Sequence, residues 1–237
     1  MMSDSSTSSG WIYMEQGLLD KAYSVMTEEI AAWPDSSGYY MNRGLCLLNM
    51  NRPEDALKDF RECIRLSPDA DAGYISAGIA LWWLKKQQEA IQTWQQGLGA
   101  KYRDAAGGVE VPALLYFGAF HLANAKMETK ARSLLKRKWR PRLAKIWPGP
   151  IAGFLLGEMD EETFLVKQTY LHPNLESRRL CQAHFWVGVS YLRQGNQERY
   201  KYHLQLSLLT NAIIESEYYL SKSELQTRIN VPPTGTT

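Results

Sequence analysis

Apolar positions along this 237-residue chain fall at helical spacings, and over the N-terminal half their pattern is copied at a fixed step. Gly10, Gly44 and Gly78 stand 34 residues apart, as do Ala22, Ala56 and Ala90. Tyr74 follows Tyr40, Trp94 follows Phe60 and Pro68 follows Pro34 at the same interval. A repeat of this length means that one supersecondary unit, a pair of antiparallel helices, recurs along the chain. Glycine in the first helix of each pair removes a Cβ from the crossing point, so the axes can approach to the lower end of about 8–10 Å. The second helix is expected to answer with Ala56 or Ala90, while Tyr40, Leu47 and Phe60, then Tyr74, Leu81 and Trp94, fill the space around the contact. One such pair cannot bury both of its faces, so the pairs must stack.

Taken in order, the spacing predicts a degenerate first pair, whose opening stretch 11–17 leads into a helix over 18–32, then pairs at 38–49 with 53–66 and at 72–85 with 88–98. Pro53 suits a first helical turn, and Pro68 ends the preceding helix. The step then slips, because Gly118 follows Gly78 by 40 residues. Six residues inserted in the loop 99–111 account for the slip, and a diverged fourth pair is expected at 114–125 and 128–139. The run Trp147-Pro148-Gly149-Pro150 interrupts the array. Beyond it lie a short apolar helix at 151–156 and another at 161–170 capped by Asp160. A fifth pair is expected at 175–193, carrying Phe185, Gly188 and Tyr191, and at 197–209; a closing amphipathic helix over 211–227 has Ile214, Tyr218 and Leu220 near one face.

Six small positions and several aromatic ones in register make the chain resemble the tetratricopeptide repeat (TPR) family, most strongly over residues 40–90. The resemblance implies an all-α solenoid of helical hairpins with a diverged C-terminal part and a capping helix. Its expected divisions are a disordered segment 1–10, three repeat units over 11–102, a diverged pair with a basic run over 103–146, repeat-like helices with the cap over 147–228, and a disordered tail 229–237. A narrower resemblance covers about 111–225, where a diverged pair, the Trp-Pro break, "GFLLGEMDEETF" and "CQAHFWVGVSYLRQGN" follow the order seen in NlpI-type bacterial TPR lipoproteins. Those proteins act as envelope scaffolds that dock hydrolases and proteases. Unlike them, this chain shows no signal peptide and no early lipid-bearing cysteine, which predicts a cytoplasmic location.

Composition changes this picture little. At 45% hydrophobic content the chain can bury a sizeable core, and a net charge of +2 selects no class of partner. Cys46, Cys63 and Cys181 have no metal-ligand spacing and read as buried thiols. Charge is nonetheless segregated: 130–145 carries eight basic residues and no acidic one, so the rest of the chain is net acidic. Lys136, Arg137, Lys138 and Arg140 within it either steer an acidic partner or form a solvated helix face.

No catalytic constellation is present in the sequence. His121, His172, His184 and His203 are scattered outside any nucleophile, zinc or phosphate-loop motif, and Asp160, Glu161 and Glu162 stand where negative charge favours a helix N-terminus. No enzyme activity, metal or cofactor is expected, and nucleic acid is an unlikely partner for a chain so acidic outside one short run. What a TPR-like array offers is a concave wall made by the first helix of each pair. Counted from the glycine, the inward positions are Met41, Leu45, Leu48 and Asn49; Ile75, Ile79, Trp82 and Trp83; and Phe185, Val189, Leu192 and Arg193. TPR domains that grip a terminal carboxylate place Lys, Arg and Asn there, and this wall is mostly apolar. Its aromatics either anchor a partner protein or peptide, with Trp82, Trp83, Met41 and Leu45 foremost, or pack on C-terminal helices folded into the groove. The expected function is a non-enzymatic scaffold; the alternative is an immunity protein that neutralises a cognate toxin.

Overall fold

In a computed structural model, which describes residues 9–140, 142, 146–166 and 173–229, a Cβ added to Gly44 would overlap the Phe60 ring and one added to Gly78 would overlap the Trp94 indole. Gly10 stands in the same relation to Met26. Each glycine therefore admits a large side chain sixteen residues further on, where the sequence suggested an alanine. Ala22, Ala56 and Ala90 are fully buried, but it is the large residue that fills the space the missing Cβ leaves. The Trp94 indole lies close enough over Gly78 to donate a 3.1 Å hydrogen bond to the Ile75 carbonyl.

This contact builds three successive hairpins: α1 (Ser9–Glu15) with α2 (Leu19–Ala32), α3 (Ser37–Asn49) with α4 (Pro53–Leu66), and α5 (Asp71–Trp83) with α6 (Gln87–Gly97). The expectation that 1–10 lacks helix fails at its end, because Ser9 and Gly10 enter α1, where Gly10 is buried against Met26. The rest of that segment lies outside the described residues.

The fourth hairpin, α7 (Glu110–His121) with α8 (Ala125–Lys138), starts earlier than the spacing predicts. Side-chain caps set both starts. The Asp104 carboxylate accepts from the backbone N–H groups of Ala106, Gly108, Val109 and Glu110 at 2.5–3.0 Å, and Asn124 accepts from Met127 N at 3.0 Å. Gly107 and Gly108 adopt positive φ inside this turn, a conformation that costs glycine little. The inserted loop is held to the preceding unit by backbone bonds: Tyr102 N donates to Asp69 O at 2.9 Å and Asp71 N to Tyr102 O at 3.0 Å.

After the break come α9 (Gly149–Leu156) and α10 (Glu161–Leu165), the latter capped by Asp160, which accepts from Thr163 N at 2.7 Å. The expected extension of α10 to residue 170 falls mostly outside the described residues. Next are α11 (Pro173–Arg193), α12 (Gln197–Leu209) and α13 (Ser216–Ile229). The closing helix begins later than predicted, since a turn through Asn211 at φ 50 precedes it. Ile214 consequently lies outside the helix and is exposed, while Tyr219 and Leu220 of α13 are fully buried. Apart from Ile229, the expected tail 229–237 lies outside the described residues.

The described residues thus form an all-α array in which one continuous apolar core runs from α3 to α13. Helix α13 does not stack on the end of the array as the next hairpin would. It turns back and packs against α5 as well as α11 and α12.

Candidate functional site: a half-filled concave groove

Helix α13 divides the predicted inner wall in two. The part made by the C-terminal turn of α5, with its neighbours on α7 and α11, is filled. Trp82 is 1% exposed, stacks on Trp94 at 5.7 Å between ring centres and meets the tilted Phe117 ring at 4.7 Å. Its Nε1 donates to Glu224 of α13 at 2.9 Å. Glu224 also accepts from Tyr200 Oη at 2.8 Å and lies 3.4 Å from His121 Nε2. Trp83 is 8% exposed and carries the Lys222 ammonium 5.4 Å above its ring. Asn49 Nδ2 donates to Tyr219 Oη at 2.7 Å, and Lys222 donates to the Asn49 carbonyl at 3.3 Å.

Phe185, Val189 and Leu192 are likewise buried, Phe185 against Phe117 and Trp186. Arg193 lies apart from the groove, bonded to Glu128 at 2.8 Å and stacked over Tyr116 and Phe120. Of the two expectations for the wall aromatics, packing on a returning C-terminal helix describes Trp82 and Trp83 in this structure. As anchors they are covered, because the polar edge of Trp82 and the face of Trp83 both find partners on α13 itself.

The other part stays open. Met41, Leu45, Leu48, Ile75 and Ile79, all predicted wall positions, line a cleft of about 360 Å³ between α3, α5 and the start of α13. Two further hollows, of about 340 and 420 Å³, share lining residues with it, and Arg178 borders all three. The floor is apolar and the rim is charged by residues that the repeat pattern did not single out: Asp71, Arg103, Asp104, Glu110, Arg178 and Glu215. The signal that could have found Asp104 is the insertion itself, which breaks the repeat and carries an acid just before Gly107-Gly108.

Acids outnumber bases on this rim, and the bases are engaged. Arg103 donates to the carbonyls of Ala100 and Leu98, and Arg178 is bonded to Glu215. Among the acids, burial pushes the Asp71 carboxyl up to about 6, with Asp104 adding to the rise and Arg103 opposing it. Burial raises Glu110 well above 4.5, with help from the charges of Glu217 and Glu215. It raises Glu215 too, against the pull of Arg178. Behind the rim, burial and then the Glu215 charge lift Glu217 to about 7 even though Trp186 and Gln182 donate to it. Asp71 is 6% exposed, and its Oδ2 has no hydrogen-bond partner.

The basic run forms a separate surface. Lys136, Arg137 and Arg140 are exposed at and just beyond the C-terminal turn of α8, whereas Lys138 donates to the Gly107 carbonyl and is half-buried. Lys145 lies outside the described residues. Among the described residues no group of three or more His, Cys, Asp or Glu side chains could hold a metal, and no helix is long and apolar enough to cross a membrane. All three cysteines are free and buried. Burial pushes the Cys46 thiol up to about 11 and that of Cys63 to about 12.

Stacked helical hairpins around a partly open concave groove define the class of protein. Within it, residues 39–70 match the tetratricopeptide repeat model, so the hairpin α3–α4 is a tetratricopeptide repeat. Similar solved structures include MamA, at 15% identity with a TM-score of 0.48 over 86% of this chain and 94% of that one. PilW, a type IV pilus biogenesis factor, matches at 14% identity and a TM-score of 0.48 over 95% of this chain and 91% of its own. YrrB matches at 16% identity and a TM-score of 0.43 over 85% and 97%.

Proposed function

We propose that this chain is a non-catalytic protein-binding scaffold that holds a segment of a partner protein in the open half of its concave groove. The observation that supports this reading is the cleft lined by Met41, Leu45, Leu48, Ile75 and Ile79, which α13 leaves unfilled while filling the wall beside it; Met41 is partly exposed at its mouth and the other four are buried at its back. Desolvating an apolar side chain on such a floor yields about 1.5–3 kcal/mol, and a groove already shaped by packed helices avoids part of the ordering cost of binding.

A photo-crosslinking side chain placed at Met41, which is partly exposed, tests the proposal against the same group placed at Tyr202 on the outer helix α12. The scaffold reading expects a discrete protein adduct from position 41 in the native host that Ile75→Glu abolishes. Adducts from position 202 alone would sink it. A toxin as the specific adduct would identify the chain as its immunity protein; hydrolases or proteases would point to an assembly scaffold.

A further inference from the structure

We propose that the segment held in this groove presents a cationic side chain, lysine or arginine, flanked by apolar residues, and that Asp71 is its counter-charge. The inference rests on the scaffold reading above and names the chemistry of its occupant.

Three features of the cleft converge on it. The first is Asp71 itself. It is the first residue of α5, only 6% exposed, and its Oδ2 is unpartnered in the cleft wall. A buried acceptor without a donor costs stability, and native proteins rarely keep one without a use. A helix N-terminus alone would explain an acid at this position, but not an acid tucked into a cleft wall with an oxygen left idle.

The second feature is the sign of the rim. Asp71, Asp104, Glu110 and Glu215 face Arg103 and Arg178, and both arginines already have partners within the protein. Asp104 spends its oxygens on four backbone N–H groups, and Asp71 is the rim acid, among the described residues, with a fully buried oxygen that has no hydrogen-bond partner. A neutral donor could fill that oxygen but would leave the surplus of carboxylate charge unanswered, and an anion would be repelled by it. A cation would satisfy both.

The third is the floor. Met41 and Ile75 stand beside Asp71 in the same cleft, so the aliphatic stem of a lysine or arginine can lie on apolar surface while its head reaches the carboxylate. Neighbouring apolar side chains of the same segment then take Leu45 and Ile79. The six-residue insertion after α6 has a role in this arrangement: it carries Arg103 and Asp104 to the rim and is tied to α5 through the Asp71 N to Tyr102 O bond.

Panning a phage library of short random peptides against the full chain, then against Asp71→Asn and Met41→Glu variants shown to be folded by circular dichroism, tests the inference. Wild-type selections should be enriched in peptides carrying Lys or Arg next to apolar residues. A synthetic copy of a selected peptide should bind Asp71→Asn about 30-fold more weakly or worse, the loss expected when one partner of a buried charge pair is removed. Replacing its basic residue with Gln should cause a similar loss in the wild type but almost none in Asp71→Asn. Selected peptides that lack basic residues, yet lose affinity in Met41→Glu, would overturn the cationic occupant and leave the scaffold reading standing. Peptides indifferent to Met41→Glu, or no selection at all, would overturn both.

Discussion

The Nε1 of Trp82 and the Oε1 of Glu224 are 2.9 Å apart across 142 positions of sequence. A solenoid ordinarily joins each repeat only to its neighbours; this bond, together with those of Tyr219 and Lys222 to Asn49, ties the last helix to the second and third hairpins. Burial pushes the Glu224 carboxyl up, but the hydrogen bond and charge of His121, and the donors on Trp82 and Tyr200, overcome that and hold it at about 2 against an ordinary 4.5.

The wall tryptophans are therefore expected to be stability residues. Trp82→Ala and Trp83→Ala should each cost about 3–5 kcal/mol, and Glu224→Gln about 2–3 kcal/mol through its lost charge-assisted bonds. Because the folded-state value of Glu224 is depressed, its contribution should be present above about pH 4.5 and fade as the pH falls toward 2. Urea unfolding of wild type and Glu224→Gln across that window measures it. A wild-type midpoint that tracks the variant's at every pH would show that the network contributes nothing.

Asp71 should behave in the opposite sense. Its folded-state value is raised from 3.8 to about 6, so the native state holds the proton more tightly and stability should fall as the pH rises between those values. Asp71→Asn removes that cost. The variant should be more stable than wild type by about 1–3 kcal/mol at pH 7–8, with the gain vanishing near pH 4. Thermal melts at the two pH values decide the matter, and a variant less stable at pH 8 would contradict it.

Glycine substitutions should separate close approach from helix propensity. Gly78→Ala places a methyl group inside the Trp94 indole and should cost about 1–3 kcal/mol by overpacking. Gly38→Ala, on an exposed and open face of α3, should instead stabilise by about 0.5–1 kcal/mol. Equal melting temperatures for the two variants would contradict the assigned packing.

Removing residues 216–229 should expose Trp82 and Trp83 and strip out the long-range ties described above. The expected results are red-shifted tryptophan fluorescence, a lower denaturant midpoint and a smaller m-value, because less surface is buried and the array unfolds repeat by repeat. An unchanged, equally sharp transition would mean that α13 adds no cooperativity.

Charge reversal at Lys136, Arg137 and Arg140, all exposed, should leave stability within about 0.5 kcal/mol. If these residues steer an acidic partner surface, association should slow at 0.01 M salt, where the screening length is about 30 Å, and recover at 1 M. Rates unchanged at both would mark a solvated face.

Much of the fold was legible because the repeat is written in packing constraints: glycine at 44 and 78, then Phe60 and Trp94 sixteen residues on, can hardly recur without recurring geometry. The starts of α7 and α8 were misplaced because Asp104 and Asn124, which cap them, act from loops that periodicity ignores. The wall positions were readable from spacing alone. Which of them remain open was not, because that depends on where α13 lies, and a helix folding back across 142 positions leaves no local trace. Asp71 went unnoticed for a related reason: at the head of a helix an acid looks like routine dipole compensation, and only its burial and idle oxygen set it apart.

The returning helix also works as a length gauge. Helical-hairpin arrays lengthen readily by duplicating a unit, since every new hairpin meets the same neighbours. Here an extra unit between α6 and α11 would carry Ser216 and the helix it begins one repeat away from Asn49 and Trp82, and Glu224 would be buried opposite the wrong wall. The contacts that seat α13 thus allow one number of repeats, and the size of the opening beside it is fixed by the same fit.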